Sequence, residues 1–248
     1  MKITTVAYTP LHYGKEYLRW AVASVAPVVD RHIILYTPKP SYGHGTALPC
    51  PDTEEELRAC VAEFSHVEWH VGEWGNESAH RGAVAQFLRQ SDKILLPVDA
   101  DEVWEPATLE AALKHAYDKA DARTWLINFT TPWRSFKWVV RDNMWPVRIH
   151  DLRQPQDAGP GYIPKELGDI WHFGYAVRDS IMKYKLSCHG HRGEWRPDWY
   201  QTKWEMWPPV DDCHPTCLDT WFPEPYNRSK LPQVMWGHPF FNVEGPIR

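Results

Sequence analysis

The segment Asp99-Ala100-Asp101-Glu102 follows a nearly continuous apolar run, Lys93-Ile-Leu-Leu-Pro-Val98. A short apolar run of this kind buries itself as a strand, here one that delivers carboxylates at its carboxyl end. If the strand persists, Asp99 and Asp101, two apart, point the same way, because strand side chains alternate. Oxygens so paired suit a hard divalent cation, Mn²⁺ or Mg²⁺. Such a cation can bridge a diphosphate and stabilise the charge on a leaving group. Taken alone, the same tripeptide can also do no more than end a strand ahead of a helix.

The preceding residues supply elements able to present that segment. Lys2–Tyr8, His32–Tyr36, Val67–Val71 and Lys93–Val98 read as strands. Gly14–Val25, Thr53 to about Phe64, Ser78–Arg89 and Pro106–Lys119 read as helices. Thr53 with Glu56 forms a capping-box pattern, and Pro106 suits a first helical turn. Strands alternating with helices predict an α/β fold with a mostly parallel sheet flanked by helices on both faces. Ligands in such sheets sit at the carboxyl ends of the strands. After Asp121 the pattern changes: Thr124–Thr131, Phe136–Arg141, Trp145–Ile149 and Asp169–Phe173 read as strands, with a helix from about Arg178. Regular structure fades from Trp195 onward, and neither a repeat nor a linker is visible. The 248 residues therefore read as one domain, with 1–120 as one half and 121–248 as the other.

Composition narrows the classes. Hydrophobic residues at 43% and charged residues at 24% describe a globular protein, not a disordered or fibrous one. The charge-free stretch Ala21–Val29 contains Pro27, is too short to span a bilayer and follows no leader, so the expectation is a cytoplasmic protein without integral membrane contact. A net charge of −5 gives no global footprint for nucleic acid. A local basic stretch runs through Arg178, Lys183, Lys185, Arg192, Arg196 and Lys203, diluted by acids, and reads as a solvated face or a phosphate-binding one. Five irregularly spaced cysteines do not make a secreted disulfide framework. Cys188, His189, His191, Cys213, His214 and Cys217 offer zinc ligands, although without a paired CxxC. Of 15 tryptophans and 22 prolines most lie after residue 120, which makes the second half an irregular, aromatic-rich region. Trp195, Trp199, Trp204 and Trp207, with Tyr200, are expected mainly to fill that region, one or two of them lining an acceptor site. Ser41–Gly45 reads as a mobile loop.

On these residues the chain resembles the GT-A-fold glycosyltransferases, the family 2-like group in particular. Ala23-Ser24-Val25-Ala26-Pro27-Val28-Val29-Asp30, then Ile33-Ile34-Leu35-Tyr36, then Arg81 and Asp99-Ala100-Asp101-Glu102, resemble the donor half of those enzymes. Downstream, Arg148-Ile149-His150, the Gly161–Glu166 segment, Ile170–Tyr175 and Lys183 resemble a second block. The likeness spans roughly residues 2 to 186 and is most specific at the acidic motif. It implies a Rossmann-like GT-A domain and a nucleotide-diphosphate sugar, most simply a UDP-sugar, as donor. It implies Asp99, Asp101 and His172 at the metal, Glu166 as the base that deprotonates the acceptor hydroxyl, and Arg81 and Lys183 at the donor. Lys165 stands where the family has histidine before that glutamate, so Asp169 is the neighbouring candidate base. Thr5, Tyr8, Thr9, Tyr36 and Ala100 are expected around the nucleoside, from strand ends and resemblance together.

The resulting expectation is a metal-dependent transferase, inverting if Glu166 faces the leaving group, acting on a glycan or another hydroxyl compound. The basic, tryptophan-bearing stretch leaves open a DNA glycosyltransferase of the phage type, acting on hydroxymethylated pyrimidines flipped from the duplex. A non-catalytic carbohydrate- or nucleic-acid-binding protein would use the tryptophans but leave the acidic motif without a purpose. Nucleotidyl transfer would require a glycine-rich, arginine-bearing loop after the first strand, unlike Ala7-Tyr8-Thr9-Pro10-Leu11.

Overall fold

A computed structural model describes residues 3–41, 45–141, 143–188, 193–209, 211–216 and 219–248. The chain opens with β1 (Thr5–Leu11), α1 (Leu18–Val25), β2 (Arg31–Tyr36), α2 (Glu54–Val61) and β3 (Val67–Val71). α3 (Glu77–Gly82) runs into a 3-10 turn at Ala83–Phe87, followed by β4 (Ile94–Pro97). β1 pairs in parallel with both β2 and β4, with Tyr8 opposite Ile33 on one side and Pro97 on the other. These strands are buried on both faces, as near-continuous apolar runs require. Ala7 packs with Ala21 and Val25 of α1 on one face, whereas Val6 and Tyr8 meet Ala83 and Val84 on the other. The Thr53–Glu56 capping box closes as expected, the threonine side chain accepting from the Glu56 N–H and the Glu56 side chain accepting from the Thr53 N–H.

A two-residue strand, β5 (Glu102–Val103), and α4 (Pro106–Lys119) come next. The expected strand Thr124–Thr131 is in fact two, β6 (Thr124–Leu126) and β7 (Phe129–Pro132), and they belong to different sheets. β8 (Trp138–Arg141), β9 (Val147–Asp151), β10 (Pro160–Tyr162), β11 (Ile170–His172), α5 (Asp179–Cys188) and β12 (Glu224–Pro225) complete the elements. The larger sheet has the order β10-β6-β9-β4-β1-β2-β3, and β9 enters it antiparallel to both neighbours. A second sheet, β12-β8-β7-β11-β5, is antiparallel apart from the β7–β11 pair. The single, mostly parallel sheet expected from the sequence is thus corrected to two mixed sheets. Short strands with too few residues to show a period account for the difference.

The tail is held by rings rather than by ladders. Trp133, Trp199, Trp204 and Trp221 are at most 3% exposed. Trp133 meets Trp204 at 5.6 Å and Trp199 at 6.0 Å in edge-to-face contacts, and Tyr175 meets Trp221 at 4.9 Å. Arg134 lies over the Trp204 ring and pairs with Asp179 at 2.9 Å, which lashes this cluster to the start of α5. Among the described residues no helix is long and apolar enough to cross a membrane.

Candidate active site

β4 stops at Pro97, so Asp99 and Asp101 leave a turn rather than a strand and do not share a direction. Arg81 of α3 grips Asp99 through two bonds, Nη1 to Oδ1 at 2.8 Å and Nη2 to Oδ2 at 3.1 Å. Arg148 of β9 donates to the same Asp99 Oδ2 at 3.0 Å and makes a fork onto Glu102, Nε to Oε2 at 2.8 Å and Nη2 to Oε1 at 2.5 Å. β9 reaches Glu102 because it pairs antiparallel with β4. Burial acts to raise Asp99, but Arg81 and then Arg148 outweigh it and hold the carboxyl below the ordinary range. Burial pushes Glu102 up; Arg148 pulls it back and Asp99 adds to the rise. Two guanidinium groups thus link Asp99 and Glu102 in one chain, and Glu77 extends it by accepting from Arg81 Nε at 2.9 Å. Both Asp99 oxygens therefore accept from arginine, where the sequence expectation set Asp99 beside Asp101 at a shared cation.

Asp101 faces the other way. Its Oδ2 lies 3.7 Å from His172 Nε2 at the end of β11. The imidazole stacks on Phe129 with centroids 5.0 Å apart, and its Nδ1 is 3.5 Å from Thr131 Oγ1. The register that sets His172 opposite Glu102 brings it here, and the Phe173 N–H donates to the Asp101 carbonyl at 2.7 Å. A Cβ on Gly174 would stand 2.6 Å from His172 Nε2 and 2.7 Å from Asp101 Oδ2, so only glycine leaves the space beside the pair open. A carboxylate oxygen and an imidazole nitrogen suit Mn²⁺ and related ions. Among the described residues no third histidine, cysteine, aspartate or glutamate joins them, which leaves further coordination to ligand oxygens and water.

Arg81, Asp99, Asp101 and His172 line a cavity of about 240 Å³ at the carboxyl ends of β1 and β4. Pro10, His12, Ser41 and His80 wall one part of it, and Val177, Ile181 and Lys185 another. The Lys185 ammonium donates to the Gly174 carbonyl at 3.2 Å; burial lowers its pKa, with Asp101 and Asp99 opposing. Gly14, at φ +146°, lets the loop after β1 close onto Ala100, whose Cβ would be 2.7 Å from any Cβ added there. Asp52 fixes that loop by accepting from the Gly14 and Lys15 N–H groups at 2.8 and 3.0 Å.

No family model matches the chain, and no curated protein matches it. Among solved structures it is similar to residues 1–349 of S. aureus TarS, with a TM-score of 0.46 and 11% identity over 69% of this chain and 61% of that one. TarS 1–349 in complex with UDP-GlcNAc matches with a TM-score of 0.41 and 12% identity, over 69% of this chain and 58% of that one. The 4-diphosphocytidyl-2C-methyl-D-erythritol synthase of Anaerococcus prevotii is similar with a TM-score of 0.42 and 10% identity, over 77% of this chain and 96% of that one. The chain spans about three fifths of TarS 1–349.

Of the residues singled out in the sequence, Arg81, Asp99, Ala100, Asp101 and His172 line the cavity. Others do not. Thr5 begins β1, about 20 Å from its carboxyl end, where its N–H donates to Asp30. Thr9 is internal, donating to the Val98 carbonyl at 2.6 Å and meeting His32 at 2.8 Å. Tyr36 packs against Trp69, and Tyr8 faces a separate groove behind Arg81 and Arg148. Glu166 is exposed on a 3-10 turn, Lys165–Leu167, and Asp169 accepts from Thr130 Oγ1 at 2.8 Å. Both candidate bases precede β11, Asp169 lying three residues, about 10 Å of extended chain, before His172, and neither lines the cavity. Lys183 is exposed over the Tyr200 ring; Lys185 is the α5 lysine that enters the site. One helical turn sets Ile181 and Lys185 on the same face, a spacing that could have flagged the second lysine. Arg148 was visible in the sequence as part of a motif, but its partners were not.

The basic stretch does not form one patch: Arg178 pairs with Glu16, Arg196 with Asp212 and Lys203 with Asp211, while Arg192 lies outside the described residues. Among the described residues no tryptophan lines the cavity, contrary to expectation, because the rings pack on one another. Cys188 and Cys213 are buried free thiols, and His214 Nδ1 is bonded to the Thr216 backbone. His189, His191 and Cys217 lie outside the described residues, as do residues 42–44 of the Ser41–Gly45 loop.

Proposed function

We propose that this chain is a divalent-cation-dependent glycosyltransferase that moves a sugar from a nucleotide-diphosphate donor to an acceptor hydroxyl. The observation that carries the reading is the Asp101–His172 pair beside Gly174, set against an arginine-clamped Asp99 in a cavity at the strand ends. A cation held by Asp101 and His172 would supply positive charge to the departing diphosphate. Lys185 adds a second positive group on the same wall, and a preorganised charge of this kind acts most where the transition state becomes anionic. Asp99, fixed by Arg81 and Arg148, orients the nucleoside end without moving. The His12 and Ser41 side of the cavity receives the base and ribose. Transfer is a single in-line displacement with inversion. The acceptor is a glycan or similar hydroxyl compound; the pairing of Arg178, Arg196 and Lys203 with acids supports that class over duplex DNA.

The test is release of nucleotide diphosphate from UDP-, GDP- and dTDP-sugars with Mn²⁺, wild type beside Asp101→Ala, with calorimetric binding of each donor. Release from one donor that vanishes on chelation and in the variant is the expected result. Absence of binding to every nucleotide sugar would overturn the reading.

A further inference from the structure

We propose that Glu16 is the base that accepts the proton of the attacking hydroxyl, an assignment that rests on the transferase reading above. Among the described residues five carboxylates line the cavity: Glu16, Asp52, Glu77, Asp99 and Asp101. Four have structural or electrostatic work already. Asp52 holds the loop after β1, Glu77 pairs with Arg81 at 2.9 Å, Asp99 is gripped by two arginines and Asp101 faces His172. Glu16 differs. Its side chain is 7% exposed, yet its ion-pair partner Arg178 is 50% exposed and approaches one oxygen, Nη1 to Oε1 at 2.9 Å. The other oxygen, Oε2, is met by the Arg178 backbone N–H at 3.4 Å, a long contact that a substrate O–H can displace.

Its place in the fold fits the role. Glu16 precedes α1 where that helix meets the second half of the chain. Tyr17 donates to the Ala176 carbonyl, and His238 donates to the Glu16 carbonyl at 2.9 Å. The segment thus docked, residues 172–178, contributes His172 and Val177 to the lining of the same cavity. The charged and titratable groups packed around Glu16 are Arg178 at the start of α5, Asp52 from the loop before α2, His238 from the C-terminal segment and the Tyr17 hydroxyl. Asp101, His172 and Lys185 share the cavity with it. Burial is the largest influence on the Glu16 carboxyl and lifts it to about 7, with Arg178 opposing. A base poised there is about half ionised at neutral pH, gains charge as pH rises, and is basic enough to take a hydroxyl proton.

In the step itself, the acceptor oxygen bonds to the anomeric carbon as the bond from that carbon to the diphosphate oxygen breaks. The electron pair leaves on the diphosphate, and the hydroxyl proton passes to Glu16 Oε2. Water in place of the acceptor follows the same course and gives free sugar.

The experiment uses the full chain, Mn²⁺ and the nucleotide sugar selected by the panel above, with water as acceptor, between pH 5 and 9. Wild-type turnover should rise with pH through a limb near 7. Glu16→Gln should bind the donor within about threefold of wild type and lose about 100-fold or more in turnover. Sodium azide, which needs no deprotonation, should restore nucleotide release in Glu16→Ala and yield a glycosyl azide of inverted configuration. A merely structural role would not respond to azide. Wild-type turnover and pH limb in Glu16→Gln, no azide rescue, or a wild type that binds donor without hydrolysing it would each overturn the assignment. A wild type that binds no nucleotide sugar would instead overturn the donor reading.

Discussion

The strands and helices up to Lys119 and the aromatic cluster after it solve the same problem by different means. In the first region, aliphatic side chains at strand and helix periods meet across layers, as Ala7 meets Ala21 and Val25. In the second, Trp133, Trp199, Trp204 and Trp221 interlock edge to face, and the backbone between them follows whatever path the rings require. The candidate site lies where the two meet. Arg81, Asp99 and Asp101 come from the first region, and Arg148, His172 and Lys185 from the second. Neither region holds a complete site, so the chemistry depends on their registry.

The largest test of that division is Trp133→Ala. Deleting a fully buried tryptophan is expected to cost about 3–5 kcal/mol. A single calorimetric transition moved to lower temperature would show that the regions fold as one unit. Two transitions, only one of them displaced, would show that the comparison describes two separable bodies. Of similar size is Arg148→Met, which leaves Glu102 buried without its cation and Asp99 held by Arg81 alone, at about 3–5 kcal/mol. Unlike Trp133→Ala, it should weaken donor binding even at temperatures where the protein is fully folded.

Asp101→Ala should lower cation-dependent nucleotide release by about 100- to 1000-fold while shifting the melting temperature little, since Asp101 is only half-buried. Gly174→Ala should resemble it in kinetics, because the added methyl collides with the same two donor atoms. Normal turnover in both variants would detach the junction from the chemistry.

The smallest effect concerns pH. Burial above all lowers His238 to about 4 in the folded chain, against 6.5 when unfolded. Between those values the unfolded chain binds more protons at this position, so stability falls as pH drops from 6.5 toward 4, by about 1.4 kcal/mol per pH unit at most. His238→Gln, which keeps a donor for the Glu16 carbonyl, should flatten that part of the melting temperature against pH. An unchanged slope would mean that acid sensitivity originates elsewhere, His32 of β2 being the first alternative because burial holds it down to about 3.

Legibility followed the same boundary. Val67–Val71 and Pro106–Lys119 were read from the sequence with the limits the structure gives them, and the capping box at Thr53 formed as its spacing required. Each is a local pattern, carried by neighbours within a few residues. Thr124–Thr131 was read as one strand because nothing local marks the crossing at Ile127 and Asn128 from one sheet to the other. In the site, the acidic motif, Arg81 and His172 were legible as residue types in a known order. The direction of Asp99 was not, since it turns on where β4 ends and on an arginine 49 residues further along the chain.

Sequence alone therefore determined the strand–helix alternation of the first region, the acidic motif at the end of its fourth strand and the aromatic character of the tail. These follow from periodicity, capping and composition, which act over a turn or a strand. Only the tertiary structure decided that Asp99 belongs to arginine and Asp101 to His172, that Lys185 rather than Lys183 enters the cavity, and that Glu166 stands outside it while Glu16 stands within. Those outcomes depend on which strands pair, in which register, and on which charges are desolvated together, and side chains far apart in the chain settle them jointly.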